Sequence, residues 1–151
     1  MCPNTLRMFS KACEYAIRAT IYIAVQSNQD NRVGLKDISK EIDSPEAYTA
    51  KILQQLSKNS IIDSVKGPNG GFQIDKKEME KIKLSQIVSA IDGDAIYRGC
   101  GLGFKNCSEK KPCPVHDKFK VVRDELKKML ENTSVLELSV GLTKGLTFLH
   151  R

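Results

Sequence analysis

Ile61-Ile62-Asp63-Ser64-Val65-Lys66-Gly67-Pro68-Asn69-Gly70-Gly71-Phe72-Gln73-Ile74 is the stretch that decides the fold. Residues 61–65 are rich in β-formers, residues 67–71 make a turn, and residues 72–74 supply a return strand. Asn-Gly set among glycines is a strong hairpin signal, because such residues adopt positive φ at little cost. A glycine-rich tip also exposes backbone N–H groups with no side chain between them and a phosphate or a narrow groove.

The residues before the hairpin give it a setting. Residues 45–59 read as a helix burying Ala47, Ile52, Leu53 and Leu56, with Ser44 as its cap and Pro45 at the first helical position, where a missing N–H costs nothing. A shorter helix precedes it over 36–42, with Leu35, Ile38 and Ile42 inward, and Asp43-Ser44-Pro45 is the tight connection. Val33-Gly34-Leu35 reads as a short strand. Residues 10–26 form a first helix, which Ser10 can cap, with Ala16, Ile17, Ala19, Thr20, Ile23 and Ala24 along one face. Two short helices alone fit any helical hairpin; two helices followed directly by a β-hairpin fit a winged helix.

After the hairpin, residues 84–91 read as a short helix that ends at Asp92-Gly93. Residues 98–112 show no periodicity. Pro114 then opens a longer helix to about residue 132, with Val115, Phe119, Val122, Leu126, Met129 and Leu130 opposite Lys118, Lys120, Lys127 and Lys128. Such a face must be covered, either by the chain's own winged helix or by the same helix of a second copy. The homodimer is the preferred expectation, because it sets two readers about one duplex turn apart, as two-fold DNA sites require. Thr133 is expected to cap a brief last helix. The fold class is mainly α with a small β-hairpin wing (α+β): a winged helix-turn-helix plus a long C-terminal dimerisation helix. The expected segments are a DNA-binding domain over 1–93, a cysteine-rich sensor loop over 94–113, and the dimerisation helix and tail over 114–151.

With 151 residues, 40% hydrophobic and 28% charged, the chain has the composition of a globular protein that builds its core without disulfides. No apolar run approaches a membrane span, and residues 1–10 lack a signal peptide's apolar stretch. The expected location is therefore the cytoplasm, where cysteines stay reduced, with no membrane partner. The net charge of +6 suits a polyanion. Its distribution is uneven: residues 1–75 hold nine Lys/Arg against eight Asp/Glu, and residues 76–151 hold fifteen against ten. A reader in the first half must use a few placed cations and backbone donors. With two histidines, no nucleotide-binding glycine motif in a βαβ setting and no Cys-x-x-Cys, an enzyme is not expected.

Cys100, Cys107, Cys113 and His116 fall within seventeen residues, spaced Cys-x6-Cys-x5-Cys-x2-His. Thiolates select iron–sulfur clusters or zinc over hard cations. Cys113 and His116 lie three apart on the expected helix and can face the same way. The spacing matches neither zinc ribbons nor ferredoxins, so by itself it is only moderately specific. Three thiols in a loop that Gly99, Gly101 and Gly103 let bend make an iron–sulfur cluster, of two-iron or four-iron type, the preferred expectation, with zinc or no cofactor as alternatives. Cys2 and Cys13 are read as a terminal residue and a packed thiol near the polar edge of the first helix.

Ser10 to Ala19, Ser44-Pro45 to Leu56, and above all Val65-Lys66-Gly67-Pro68-Asn69-Gly70-Gly71-Phe72 resemble the IscR/NsrR/CymR-type family of bacterial winged-helix transcription regulators. The wing run Gly-Pro-x-Gly-Gly-aromatic is the most specific match, and the resemblance spans roughly residues 6–140. It implies a homodimer on a double-stranded, two-fold DNA operator, of the repressing kind, answering an iron–sulfur, redox, nitric-oxide or iron signal. It sets Cys100, Cys107, Cys113 and His116 where cluster-binding members carry their ligands, although several of those have a first gap of five residues where this chain has six. In some members a carboxylate on the first helix of the opposite subunit completes the site, which makes Glu14 a rival fourth ligand. Other branches carry no cluster and are controlled by a partner protein, and thiol oxidation or a zinc-stabilised regulator is a further alternative.

For the DNA reader, the exposed face of the third helix offers Glu46, Tyr48, Thr49, Lys51 and Gln55. Glutamine can bond adenine in a bidentate way, and tyrosine or threonine can reach thymine methyls or phosphates. Lys66, Asn69, Gly70 and Gly71 are expected to serve the wing, and Ser10, Lys11 and Tyr15 to hold the DNA backbone. Gly71 and Lys66 are expected to matter to binding more than to folding.

Overall fold

The computed structural model describes residues 8–149; Cys2 lies outside the described residues. At its centre runs α1 (Lys11–Asn28). The Ser10 hydroxyl accepts the Cys13 N–H at 3.0 Å, which caps the helix start. Cys13, Ala16, Ala19 and Ala24 are all small and fully buried, so neighbours can pack close to the α1 backbone. Cys13 is thus a packed thiol in the core, not at a polar edge.

α2 (Leu35–Glu41) and α3 (Glu46–Lys58) follow. The chain turns between them through Asp43 at φ 52°, a left-handed position that Asp tolerates better than most residues. Pro45 is the N-cap of α3, one place earlier than expected. Ser44 does not cap the backbone; its hydroxyl pairs with Thr49 Oγ1 at 2.7 Å. Thr49 is fully buried and donates to the Pro45 carbonyl at 2.9 Å, whereas Ala47 is exposed. The two expectations were exchanged. Thr49, Ile52, Leu53 and Leu56 form the i, i+3, i+4, i+7 stripe, and Ala47 sits about 200° round the helix from Thr49.

β1 (Asp63–Val65) pairs antiparallel with β2 (Gly71–Gln73), with Asp63 opposite Gln73, Ser64 opposite Phe72 and Val65 opposite Gly71. The short strand expected at 33–35 is a single bridge: Val33 N–H donates to Phe72 O at 3.1 Å, and Phe72 N–H to Val33 O at 2.8 Å. Ser27 Oγ, on α1, accepts the Ile74 N–H at 2.9 Å. Gly71 has φ 138°, and a Cβ there would stand 2.8 Å from Val33 O. Gly71 is therefore demanded by the fold itself, contrary to the expectation that it matters mainly to DNA.

α4 (Leu84–Asp92) ends at Gly93, φ 72°, and a four-residue α5 (Ala95–Arg98) follows that no periodicity announced. α6 (His116–Asn132) begins two residues after Pro114. α7 (Val135–Thr143) is capped by Ser134, whose Oγ accepts the Glu137 N–H at 3.1 Å, and not by Thr133, which closes α6.

One apolar core includes Ile23 of α1, Leu53 of α3, Ile87 of α4, Leu130 of α6 and Val135 of α7. Leu130 is 0% exposed. It therefore belongs to this core and is corrected as a dimer candidate. Leu126 packs partly against the same core, and Val115 is half-buried. Phe119, Val122 and Met129 stay exposed, joined by Val121, which the sequence reading passed over. α6 therefore gives one edge of its apolar face to the protomer and leaves the other bare.

Candidate nucleic-acid interface and thiol site

Glu46, Tyr48, Lys51 and Gln55 lie exposed on α3. Thr49 is corrected: burial and two hydrogen bonds remove its hydroxyl from any base. Tyr48 is steadied by Tyr15 of α1, ring edge to ring face at 5.7 Å and 79°. Tyr15 is itself buried, with Lys11 Nζ and the Arg18 guanidinium 4.9 and 5.2 Å from its ring centre. Tyr15 is thus a support beneath the reader and not a free hand on the DNA backbone. Ser10 is similarly committed. Its N–H donates to Asp92 Oδ2 at 2.9 Å and its hydroxyl to Asp92 Oδ1, while Oγ accepts from Cys13. The only O–H donor of Ser10 is spent on Asp92, at the end of α4.

Lys66 and Asn69 are exposed at the wing. Gly70 N–H closes the tip on Gly67 O at 2.9 Å, and a Cβ on Gly70 would lie 2.1 Å from Val65 O. Arg32, not singled out by the sequence reading, braces the wing. Its Nε donates to Gln73 Oε1 at 2.8 Å and its Nη1 to Asn69 O at 3.2 Å. Nothing in the linear sequence marks an arginine in a polar loop for that role.

Cys100, Cys107, Cys113 and His116 all line one cavity of about 450 Å³, with Phe104 and Pro114 among its apolar walls. Cys100 Sγ accepts the Leu102 N–H at 3.4 Å. That N–H, with those of Phe104 and Gly103 and the neighbouring Cys113 thiol, holds the Cys100 thiol below its ordinary pKa. Cys107 Sγ lies 3.3 Å from His116 Nδ1 and 3.5 Å from Arg123 Nη2. His116 is buried at the start of α6, and its N–H donates to Cys113 O at 3.0 Å. Cys113 precedes α6, so the shared helix face expected for Cys113 and His116 does not form; Cys107 meets the imidazole. Among the described residues, no three Cys, His, Asp or Glu side chains converge closely enough to hold one metal ion. Glu14 is not on the cavity wall; on α1 it faces Lys11 Nζ at 3.9 Å.

The family model of Rrf2, an iron-dependent transcriptional regulator, matches residues 9–140. The chain belongs to the Rrf2 family. Among its relatives is a proposed HTH-type transcriptional regulator of Aquifex aeolicus, 35% identical over 134 residues, covering 87% of this chain and 90% of the relative. The HTH-type transcriptional regulator IscR of Pectobacterium atrosepticum is 30% identical over 133 residues, 88% of this chain and 79% of that protein. In fold, the Rrf2 chain is similar to CymR, the global cysteine regulator of Bacillus subtilis, with a TM-score of 0.72 at 18% identity, covering 90% of this chain and 98% of the other. This is the winged-helix architecture expected from the hairpin. Rrf2 relatives are transcriptional regulators, which are not enzymes, and DNA-binding regulation is the function they support. Among the described residues no helix is long and apolar enough to cross a membrane.

Proposed function

We propose that this Rrf2 chain is a cytoplasmic, homodimeric repressor whose affinity for a two-fold operator depends on an iron–sulfur cluster held by Cys100, Cys107, Cys113 and His116. The observation that carries the reading is the shared cavity: three thiols from separate parts of a loop and the buried imidazole that opens α6 line one space. A donor set that lines a cavity without converging on a point suits a polynuclear cluster better than a single zinc ion. When bound, such a cluster supplies an iron centre that oxidants and nitric oxide attack. Cys100 is prepared for thiolate character by three backbone N–H groups. His116 is held at the first turn of α6, and Cys107 beside it. Binding there orders the loop against α6, whose exposed apolar edge is the dimer surface in this reading. Glu46, Tyr48, Lys51 and Gln55 then face the major groove, with Lys66 and Asn69 at the flanking backbone.

Anaerobic reconstitution with ferrous iron and sulfide tests this. A visible chromophore is expected that Cys100→Ala, Cys107→Ala and Cys113→Ala each abolish and Cys13→Ala retains. His116→Ala against Glu14→Ala identifies the fourth ligand. Bleaching by nitric oxide should change operator affinity together with colour. A protein that stays colourless yet binds operator normally would replace this reading with control by a partner protein or by thiol oxidation.

A further inference from the structure

Cys107 and His116 form a wall between two cavities. On one side is the 450 Å³ space of the cysteines. On the other is a space of about 490 Å³ whose lining includes Arg98, Lys105, Lys120 and Arg123. Of these cations, Arg123 alone is tied to the thiol site: one Nη donates to Gly99 O at 2.7 Å and the other to Cys107 Sγ at 3.5 Å. Gly99 closes α5 immediately before Cys100. One guanidinium on α6 therefore holds both ends of the segment between the first two cysteines. Its Nε is buried with no hydrogen-bond partner, an uncommon state for a donor so strong.

We propose that Arg123 is the positioning residue of the sensor. It clamps residues 99–107 onto α6 and supplies the fixed positive charge against which Cys107 carries an anionic cluster. The proposal rests on the cluster reading above. Guanidinium suits the task because it stays charged and presents its donors in a rigid fork. A positive charge beside a cluster favours the reduced, more negative form, so it raises the potential of the cluster's one-electron reduction. Arg123 also follows Val122, on the bare edge of α6, so the clamp fastens the loop to the helix that would sense its order.

Full-length wild type, R123K and R123Q separate these roles. Circular dichroism first confirms equal helix content; should R123Q fail there, R123K carries the anchoring measurement. In the cluster-free proteins, amide exchange over residues 99–107 is expected to rise several-fold in both variants, since both lose the fork. After anaerobic reconstitution, dithionite titration should give R123Q a more negative potential, so that its colour bleaches less readily, while R123K, which keeps the charge, stays near wild type in potential. A merely structural loss would move both variants alike. Unchanged exchange in R123Q, or equal potential shifts in the two variants, overturns the proposal. A wild type that stays colourless overturns the cluster reading and the charge role with it, and the exchange result then still decides the clamp.

Discussion

Cys13 and Cys100 are both free thiols, and their surroundings drive them apart. Burial, then the charge and hydrogen bond of Asp92, then Glu14, push Cys13 up to about 12. Backbone N–H groups, the Leu102 N–H foremost, pull Cys100 down. Only the thiolate reacts, so in the cluster-free protein iodoacetamide at about pH 8 should modify Cys100 early and leave Cys13 intact until the chain unfolds. Peptide mass spectrometry over a time course reads this, and equal rates for the two would contradict the burial of Cys13. At this scale the sequence was least legible. Thr49 and Ala47 were assigned by polarity, though helical phase and the Pro45 carbonyl put the hydroxyl inside. Ser10 and Tyr15 looked available because Asp92 and Tyr48, their partners, lie 82 and 33 positions along the chain.

The wing shows what an element can reveal in advance. Its turn chemistry is local, so Gly67 to Gly71 announced the hairpin without any tertiary information. What the turn could not announce was its brace, Arg32, or the bridge to Val33, which depend on how α1 and α2 return to it. α5 was missed for a related reason: four residues are too few to show a period. Gly71→Ala should now separate from Lys66→Ala. Putting a Cβ at φ 138° and 2.8 Å from Val33 O should cost about 1–3 kcal/mol of stability in urea unfolding. Lys66→Ala should leave unfolding unchanged and lower the log–log salt slope of operator binding by about one unit. Equal stability for Gly71→Ala and wild type would mean the wing is not stitched as described. An unchanged slope for Lys66→Ala would remove that lysine from the interface.

For the whole molecule, the long amphipathic helix after Pro114 was legible, but the division of its apolar face was not. A hydrophobic stripe states that a surface is covered without stating by what. Leu130→Ala should therefore cost about 2–5 kcal/mol of protomer stability, as expected for a fully buried leucine. Val122→Glu should leave secondary structure intact and shift the sedimenting species from dimer to monomer. Loss of folding in Val122→Glu, or no change in mass, would argue that this edge faces something else. One connection has a mechanical consequence. β2 is fastened to Val33 and, through Ile74, to Ser27 of α1, and Tyr15 of α1 supports Tyr48 on α3. The wing is no flap, and α3 no independent finger. Both are fastened to α1, so a displacement of that one helix carries the hairpin tip and the exposed face of α3 together, with little slack in between to absorb it.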